Sequence, residues 1–153
     1  MSVLVARTPE GVQLLVIARL REACDAFGGQ FMPQLTMQMG GSAHFDSPRG
    51  YATTTVYGDG RFHLKIAERF LEAELDVQDA IVRHELGHVV DFSSESDPLN
   101  NWAIGRGVEL ASTRELRADG IAEAIWGGRI FYNEFDVQTL YGGTAPRPAR
   151  LGL

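Results

Sequence analysis

Two histidines four residues apart, with a glutamate next to the first, form the part of this chain best suited to chemistry. They are His84, Glu85 and His88, in the run His84-Glu85-Leu86-Gly87-His88. On a helix, positions four apart lie on one face about a turn from each other, so both imidazoles can reach a single ion. The intervening carboxylate then projects toward the open side of that ion. The spacing H-E-x-x-H is the one with which two histidine ligands and a glutamate general base activate water at zinc.

The motif requires a helix, and its flanks predict one over residues 76–92. Asp76 is a good N-cap, and Asp79 adds a second acid to the first turn, where the helix dipole favours negative charge. Val77, Ala80, Ile81 and His84 step round one side in threes and fours, and His88 and Asp91 continue that stripe. Leu86, Val89, Val90 and Phe92 make the remainder apolar enough to be buried. Gly87 works against the helix by about 0.5–1 kcal/mol relative to Ala. A position without a side chain between the two histidines leaves space for a neighbouring strand or for substrate.

A catalytic zinc takes three protein ligands and keeps one position for water, so a third ligand must be found. Asp91 is nearest in sequence and fails on geometry. Seven residues from His84 on one helix is roughly 10 Å along the axis, whereas zinc–ligand bonds are about 2 Å. The next helix offers Glu109, Glu115, Asp119 and Glu123. Glu115 and Asp119, in Glu-Leu-Arg-Ala-Asp, are four apart and share a face. One carboxylate can then bind metal while the other orients a ligating histidine through its second ring nitrogen. Glu109 has Thr113 four residues on and no such partner, so Glu115 is the favoured ligand and Glu109 the reserve.

The elements around the motif read as a small α+β domain. Pro9 and Glu10 open a helix that runs to about residue 27 and ends at Gly28-Gly29. Residues 34–39 alternate as a first strand, with Met37 and Met39 as core positions. A polar connection, 42–49, leads to segments 51–57 and 61–67, which flank Gly58-Asp59-Gly60 as a hairpin. In its second strand Phe62, Leu64 and Ile66 share one face and Arg61, His63 and Lys65 the other, so the sheet is covered on one side and His63 lies at the surface. His44, in the connection, has nothing around it that points to a site. Residues 68–75 form a short helical link. Residues 93–107 read as a loop, 108–126 as a third long helix ended by Gly127-Gly128, and 129–141 as a short helix. Trp102, in the 93–107 segment, points either to a contact surface or to packing over the core, and Trp126 is read as a core residue. Arg106, Arg114 and Arg117 are read as surface partners of Asp91, Glu109 or Glu123, worth under about 1 kcal/mol each.

The chain has 153 residues, 44% hydrophobic and 22% charged, enough for one core. We expect one domain over residues 1–141, with 142–153 as an extended Gly/Pro/Arg-rich tail suited to docking. A formal charge of −6 argues against phosphate-backbone binding, so no nucleic-acid partner is expected. The single cysteine, Cys24, excludes an intramolecular disulfide and is read as a small buried hydrophobe. Thr8-Pro9-Glu10-Gly11 and Arg19 interrupt the apolar N-terminal run. Neither a signal peptide nor a membrane span is therefore expected, and a cytoplasmic setting follows.

His84-Glu85-Leu86-Gly87-His88 followed by Glu115-x-x-Ala118-Asp119 resembles the gluzincin peptidases, the thermolysin-like group, and at this size most resembles the minimal gluzincins and ImmA/IrrE-type proteins. The likeness covers roughly residues 10–126, and its specific part is 84–88 and 115–119. It implies a zincin-like fold with zinc on His84, His88 and Glu115, Glu85 as general base and acid, and Asp119 orienting a histidine. Asp91 and Ser94 stand where the metzincins would have Gly and His, which disfavours that branch. For the downstream His or Tyr that steadies the oxyanion in larger gluzincins, the candidate counterparts are Tyr132, Tyr141, His44 and Arg106, and the sequence singles out none. The expected function is zinc-dependent hydrolysis of a polypeptide, the substrate lying along an exposed edge of one hairpin strand. The alternative is a zinc-stabilised structural or interaction module, for example in a larger assembly, a virus particle or a mobile element.

Overall fold

In the computed structural model, which describes residues 6–28, 31, 33–40, 51–127 and 149–150, the chain is an α+β domain with four helices and a three-stranded mixed sheet. Helix α1, Pro9–Ala26, starts where the Thr8 hydroxyl accepts the Gly11 N–H at 3.0 Å and Pro9 takes the first helical position. It buries Val12, Leu15, Val16 and Ala23. Strand β1 is Gln34–Met39, β2 is Ala52–Val56 and β3 is Arg61–Ile66.

The sheet order is β1-β3-β2, with β1 parallel and β2 antiparallel to the central β3. Phe62, Leu64 and Ile66 are buried on one face of β3, against Val12, Leu15 and Val16 of α1 and the apolar side of the next long helix. The opposite face carries Arg61, His63 and Lys65, which are exposed or half-buried. His63 bonds there to its sheet neighbours, Thr36 Oγ1 at 2.7 Å and Gln38 Oε1 at 3.3 Å. Met37 and Met39 pack against the core from β1.

A 3-10 turn, Glu68–Glu72, leads into α2, Leu75–Ser93. The helix starts one residue earlier than its sequence suggests. Glu74 is the N-cap and gives no side-chain bond, while Asp76 lies inside the first turn and accepts the Val77 N–H. What fixes this end is Gln78, fully buried. Its side chain accepts the Ala6 N–H at 2.8 Å and donates to the carbonyls of Ala6 and Phe70 at 2.7 and 2.9 Å. A buried amide is tolerated only when satisfied in this way, and the result ties the start of α2 to the segment before α1 and to the 3-10 turn.

Two of the later elements differ from the sequence reading. Segment 93–107 contains a helix, α3, Ser96–Gly105, in place of a continuous loop. Pro98 sits in its first turn, where the backbone N–H groups have no intrahelical partner to lose. Leu99 and Ala103, four apart, are its buried stripe, and Trp102 packs on Phe27 with ring centroids 4.4 Å apart. The helix expected over 108–126 is divided. Val108–Glu109 is a short strand, β4, and the helix proper, α4, is Arg114–Trp126, closed by Gly127 at φ 76°. Strand β4 pairs antiparallel with β5, Ala149–Arg150, which lies in the predicted tail. The predicted connection 42–49, the helix expected over 129–141 and residues 142–148 lie outside the described residues. No helix among the described residues is long and apolar enough to cross a membrane.

Candidate metal centre

Helices α2 and α4 cross at Gly87. A Cβ built on Gly87 would overlap the carbonyl of Ala118, so the space predicted for a strand or substrate holds the backbone of α4. Gly at this position allows the two helix backbones to touch, and the touching point is flanked on α4 by Glu115 and Asp119. Both carboxylates are thereby delivered to the histidines of α2.

The resulting cluster is tight. Glu115 Oε2 lies 2.7 Å from His84 Nε2 and 3.3 Å from His88 Nε2, and the two Nε2 atoms are 3.1 Å apart. Around a tetrahedral ion with bonds of about 2.0–2.1 Å, ligand atoms stand about 3.3 Å from each other. The three observed separations fall at or slightly inside that value, and two imidazole nitrogens with one carboxylate oxygen are a donor set suited to a borderline divalent cation. Behind this cluster, His84 Nδ1 donates to Asp119 Oδ1 at 2.6 Å, which fixes the ring so that Nε2 is the nitrogen turned toward Glu115 and His88. His84 and Asp119 are fully enclosed, whereas the Glu115 side chain is 62% exposed and forms the rim.

Glu85 has a different role from Glu115. Its Oε2 is 3.8 Å from His84 Nε2, and its Oε1 accepts the hydroxyl of Thr54 at 2.9 Å. One carboxylate oxygen is therefore committed to strand β2 and the other faces the ligand cluster. His84, Glu85 and His88 can each offer a ligand atom within 4.8 Å of one another. Glu115 is nonetheless the carboxylate in contact with both imidazoles.

The electrostatics follow from this enclosure. Burial opposes the charged form of His84, but its hydrogen bonds to Asp119 and Glu115, with the nearby Glu85 charge, outweigh that and push its pKa up to about 10. Hydrogen bonds from His84 and His88 hold the Glu115 carboxyl well below the usual range. Burial raises Glu85 above its ordinary value, in opposition to the two histidines and the Thr54 hydroxyl. A raised carboxyl beside a ligand cluster is the property a general base needs near neutral pH.

Glu109, the reserve ligand, is on β4 and exposed, because the α4 helix begins after it. Asp91 is buried, and its carboxylate accepts Arg114 Nη1 at 2.8 Å and Arg117 Nε at 3.1 Å. Arg117 is itself buried and also donates to Asn100 Oδ1 at 2.9 Å. Arg117–Asp91 is an interior pair, not the surface pair expected, and removing one partner of such a pair costs about 3–5 kcal/mol, whereas Arg114 reaches Asp91 from the surface. Arg106 donates to the Ala124 carbonyl and stacks on Trp102. Glu123 is buried one turn beyond Asp119. His44, Tyr132 and Tyr141 lie outside the described residues. Thr54 is the contributor the sequence reading missed: one threonine in the run 53–55 of a strand carries no signal until the strand is laid against α2.

No family model matches this chain, and comparison with curated proteins and with solved structures finds no match.

Proposed function

We propose that the chain is a zinc-dependent peptidase of gluzincin type, with His84, His88 and Glu115 as ligands, Glu85 as general base and Asp119 orienting His84. The observation that carries this reading is the convergence of His84 Nε2, His88 Nε2 and Glu115 Oε2 within 3.3 Å, with Glu85 beside them. A zinc ion held there supplies Lewis acidity, polarising a carbonyl and lowering the pKa of water from 15.7 to about 7.

The chain's own residues do the rest. Glu85 Oε2 takes a proton from the attacking water and returns it to the leaving amine, while Thr54 holds Oε1 and prevents the carboxylate from turning away. Asp119 keeps His84 in one tautomer and orientation. The sheet order favours one strand as the substrate edge. β3 is central, so of the two hairpin strands only β2 has a free edge among the described residues. Tyr57 N–H bonds to the Arg61 carbonyl and Ala67 N–H to the Tyr51 carbonyl, so odd-numbered residues of β2 face β3. The N–H and C=O groups of Ala52, Thr54 and Val56 then point outward, available to an extended peptide. Thr54 serves both functions, its backbone toward substrate and its hydroxyl toward the base.

The test is metal content of protein purified without added metal, read beside a peptide-library digest by the native chain and by Glu85→Gln. One zinc per chain with cleavage that depends on Glu85 supports the proposal. One zinc without cleavage points to the structural module, and absence of metal removes the basis for both.

A further inference from the structure

A second feature adjoins the ligand cluster. A cleft of about 630 Å³ opens between the C-terminal end of α2, helix α3 and the segment entering α4. Phe92, four residues after His88, and Arg114, immediately before Glu115, both line it. The cleft thus begins about one helical turn, roughly 5.4 Å, from the ligands.

Its charge and hydrogen-bond balance are unusual for this acidic chain. Asp91 supplies one negative charge, and Arg114 and Arg117 supply two positive ones, so the lining carries a net charge of +1 where the whole chain carries −6. The Asp91 oxygens are already taken, one by each guanidinium. Arg114 has five N–H donors, and among the described residues Asp91 is the only acceptor it meets. Its side chain is 59% exposed and its guanidinium lies 4.2 Å over the Phe92 ring, which fixes the plane in which the remaining donors are presented. Asn100 gives its Oδ1 to Arg117 and keeps its amide N–H groups, and Ser112 adds a hydroxyl. Donors therefore exceed acceptors, with one positive charge uncompensated and an apolar ring beside it.

The matching ligand is a planar acceptor of single negative charge. We propose that this cleft is a subsite for the carboxylate of an acidic side chain of the polypeptide substrate, with Arg114 as its anchor. A phosphate dianion would overcompensate the single charge and face the neighbouring Glu115. The proposal rests on the reading that a polypeptide crosses the ligand cluster, and its test is binding, which does not require turnover.

The experiment uses the zinc-loaded Glu85→Gln chain and two end-blocked peptides, acetyl-Ala-Glu-Ala amide and its Gln counterpart, followed through the arginine Nε–H signals by NMR. The Glu peptide is expected to bind roughly ten-fold more tightly, the size of a charge-assisted hydrogen bond, and to shift Arg114. Arg114→Gln in the same background should abolish the preference while zinc content stays the same. Arg114→Lys should restore part of it. Equal binding of the two peptides, a preference that survives Arg114→Gln, or tighter binding of inorganic phosphate than of the Glu peptide would each overturn the proposal. If the native chain neither holds zinc nor cleaves peptides, the peptidase reading fails, and the same titration on the metal-free chain still decides the cleft.

Discussion

The backbone of Ala118 occupies the place that a side chain on Gly87 would need. Glycine here weakens α2 by propensity, and the close crossing it permits sets the spacing of Glu115 and Asp119 from His84 and His88. Gly87→Ala should therefore destabilise the fold despite better helix propensity, by about 1–3 kcal/mol as for other overpacked cores. For a domain of this size each kcal/mol is about 2–4 °C in melting temperature. The same variant should bind metal more weakly, since the backbones of α2 and α4 must move apart to admit the methyl group and that separation acts directly on the ligand distances. A more stable Gly87→Ala chain would show that the crossing is not tight.

The hydroxyl of Thr54 satisfies Glu85 Oε1 in a buried setting. Thr54→Val keeps the shape and removes the donor, and leaving a buried carboxylate oxygen unpartnered costs about 1–3 kcal/mol. Urea unfolding should show that loss, and Thr54→Ser should recover most of it. On peptide cleavage we expect Thr54→Val to lower kcat with little change in KM or in metal content. A fall in KM-based binding alone would assign Thr54 only to the substrate edge.

Glu85→Gln would remove the proposed proton acceptor and leave the three proposed ligands in place. Cleavage should drop by at least about 10²–10⁴-fold, the usual contribution of general base catalysis, with bound metal unchanged. Retained turnover would take Glu85 out of the mechanism.

Glu115 and Glu109 offer an internal comparison, because one touches both histidines and the other sits exposed on β4. Glu115→Ala should weaken zinc binding far more than Glu109→Ala does, by competition with a chromophoric chelator. Asp119→Asn should fall between them, about 10–100-fold weaker than the native chain, as for other residues that orient a ligating histidine. The reverse order of Glu115 and Glu109 would show that the third ligand is wrongly assigned.

The stability of chelator-treated protein should depend on pH with a definite sign. The His84 pKa is raised from 6.5 to about 10, so its contribution is fully present below 6.5 and is lost as the pH rises toward 10. Glu85, raised by burial, acts in the same direction above 4.5, whereas Glu115, which is lowered, contributes above 4.5 and loses its effect in acid. The metal-free chain should thus be most stable between about 4.5 and 6.5, and its urea midpoint should fall from pH 6.5 to pH 9.5. A flat or rising midpoint over that interval would mean that His84 is not held as an imidazolium between Asp119 and Glu115. Metal uptake must displace that proton, so zinc affinity should weaken as the pH falls.

Much of the fold could be read from the residues, and the reasons are specific. Period-2 alternation in 34–39 and 61–66, Gly-Asp-Gly between two strands and Pro9 at a helix start are local signals, and the elements formed where they stand. Helix α3 was hidden because Ser, Asp, Asn and Pro mark both loops and first turns of helices. The strand at 108–109 was hidden because a two-residue strand has no period of its own. The pairing of Glu115 and Asp119 with the histidines followed from i, i+4 spacing, but the enclosure of Asp91 by Arg114 and Arg117, and the reach of Thr54 to Glu85, depend on how α2, α4 and β2 are set together. No spacing within one element carries that information.

The sheet order β1-β3-β2 bears on how the chain reaches its shape. β2 and β3 are separated by only four residues and can zip locally, whereas β1 pairs with β3 across a separation of 27 residues. Strand β1 leaves the ribosome first, yet it has no edge to join until the hairpin behind it has closed. The hairpin is therefore the template, and β1 is the late arrival. Until β1 docks, the central strand presents unpaired backbone N–H and C=O groups along one edge and Phe62, Leu64 and Ile66 on one face, the combination through which partly folded chains associate.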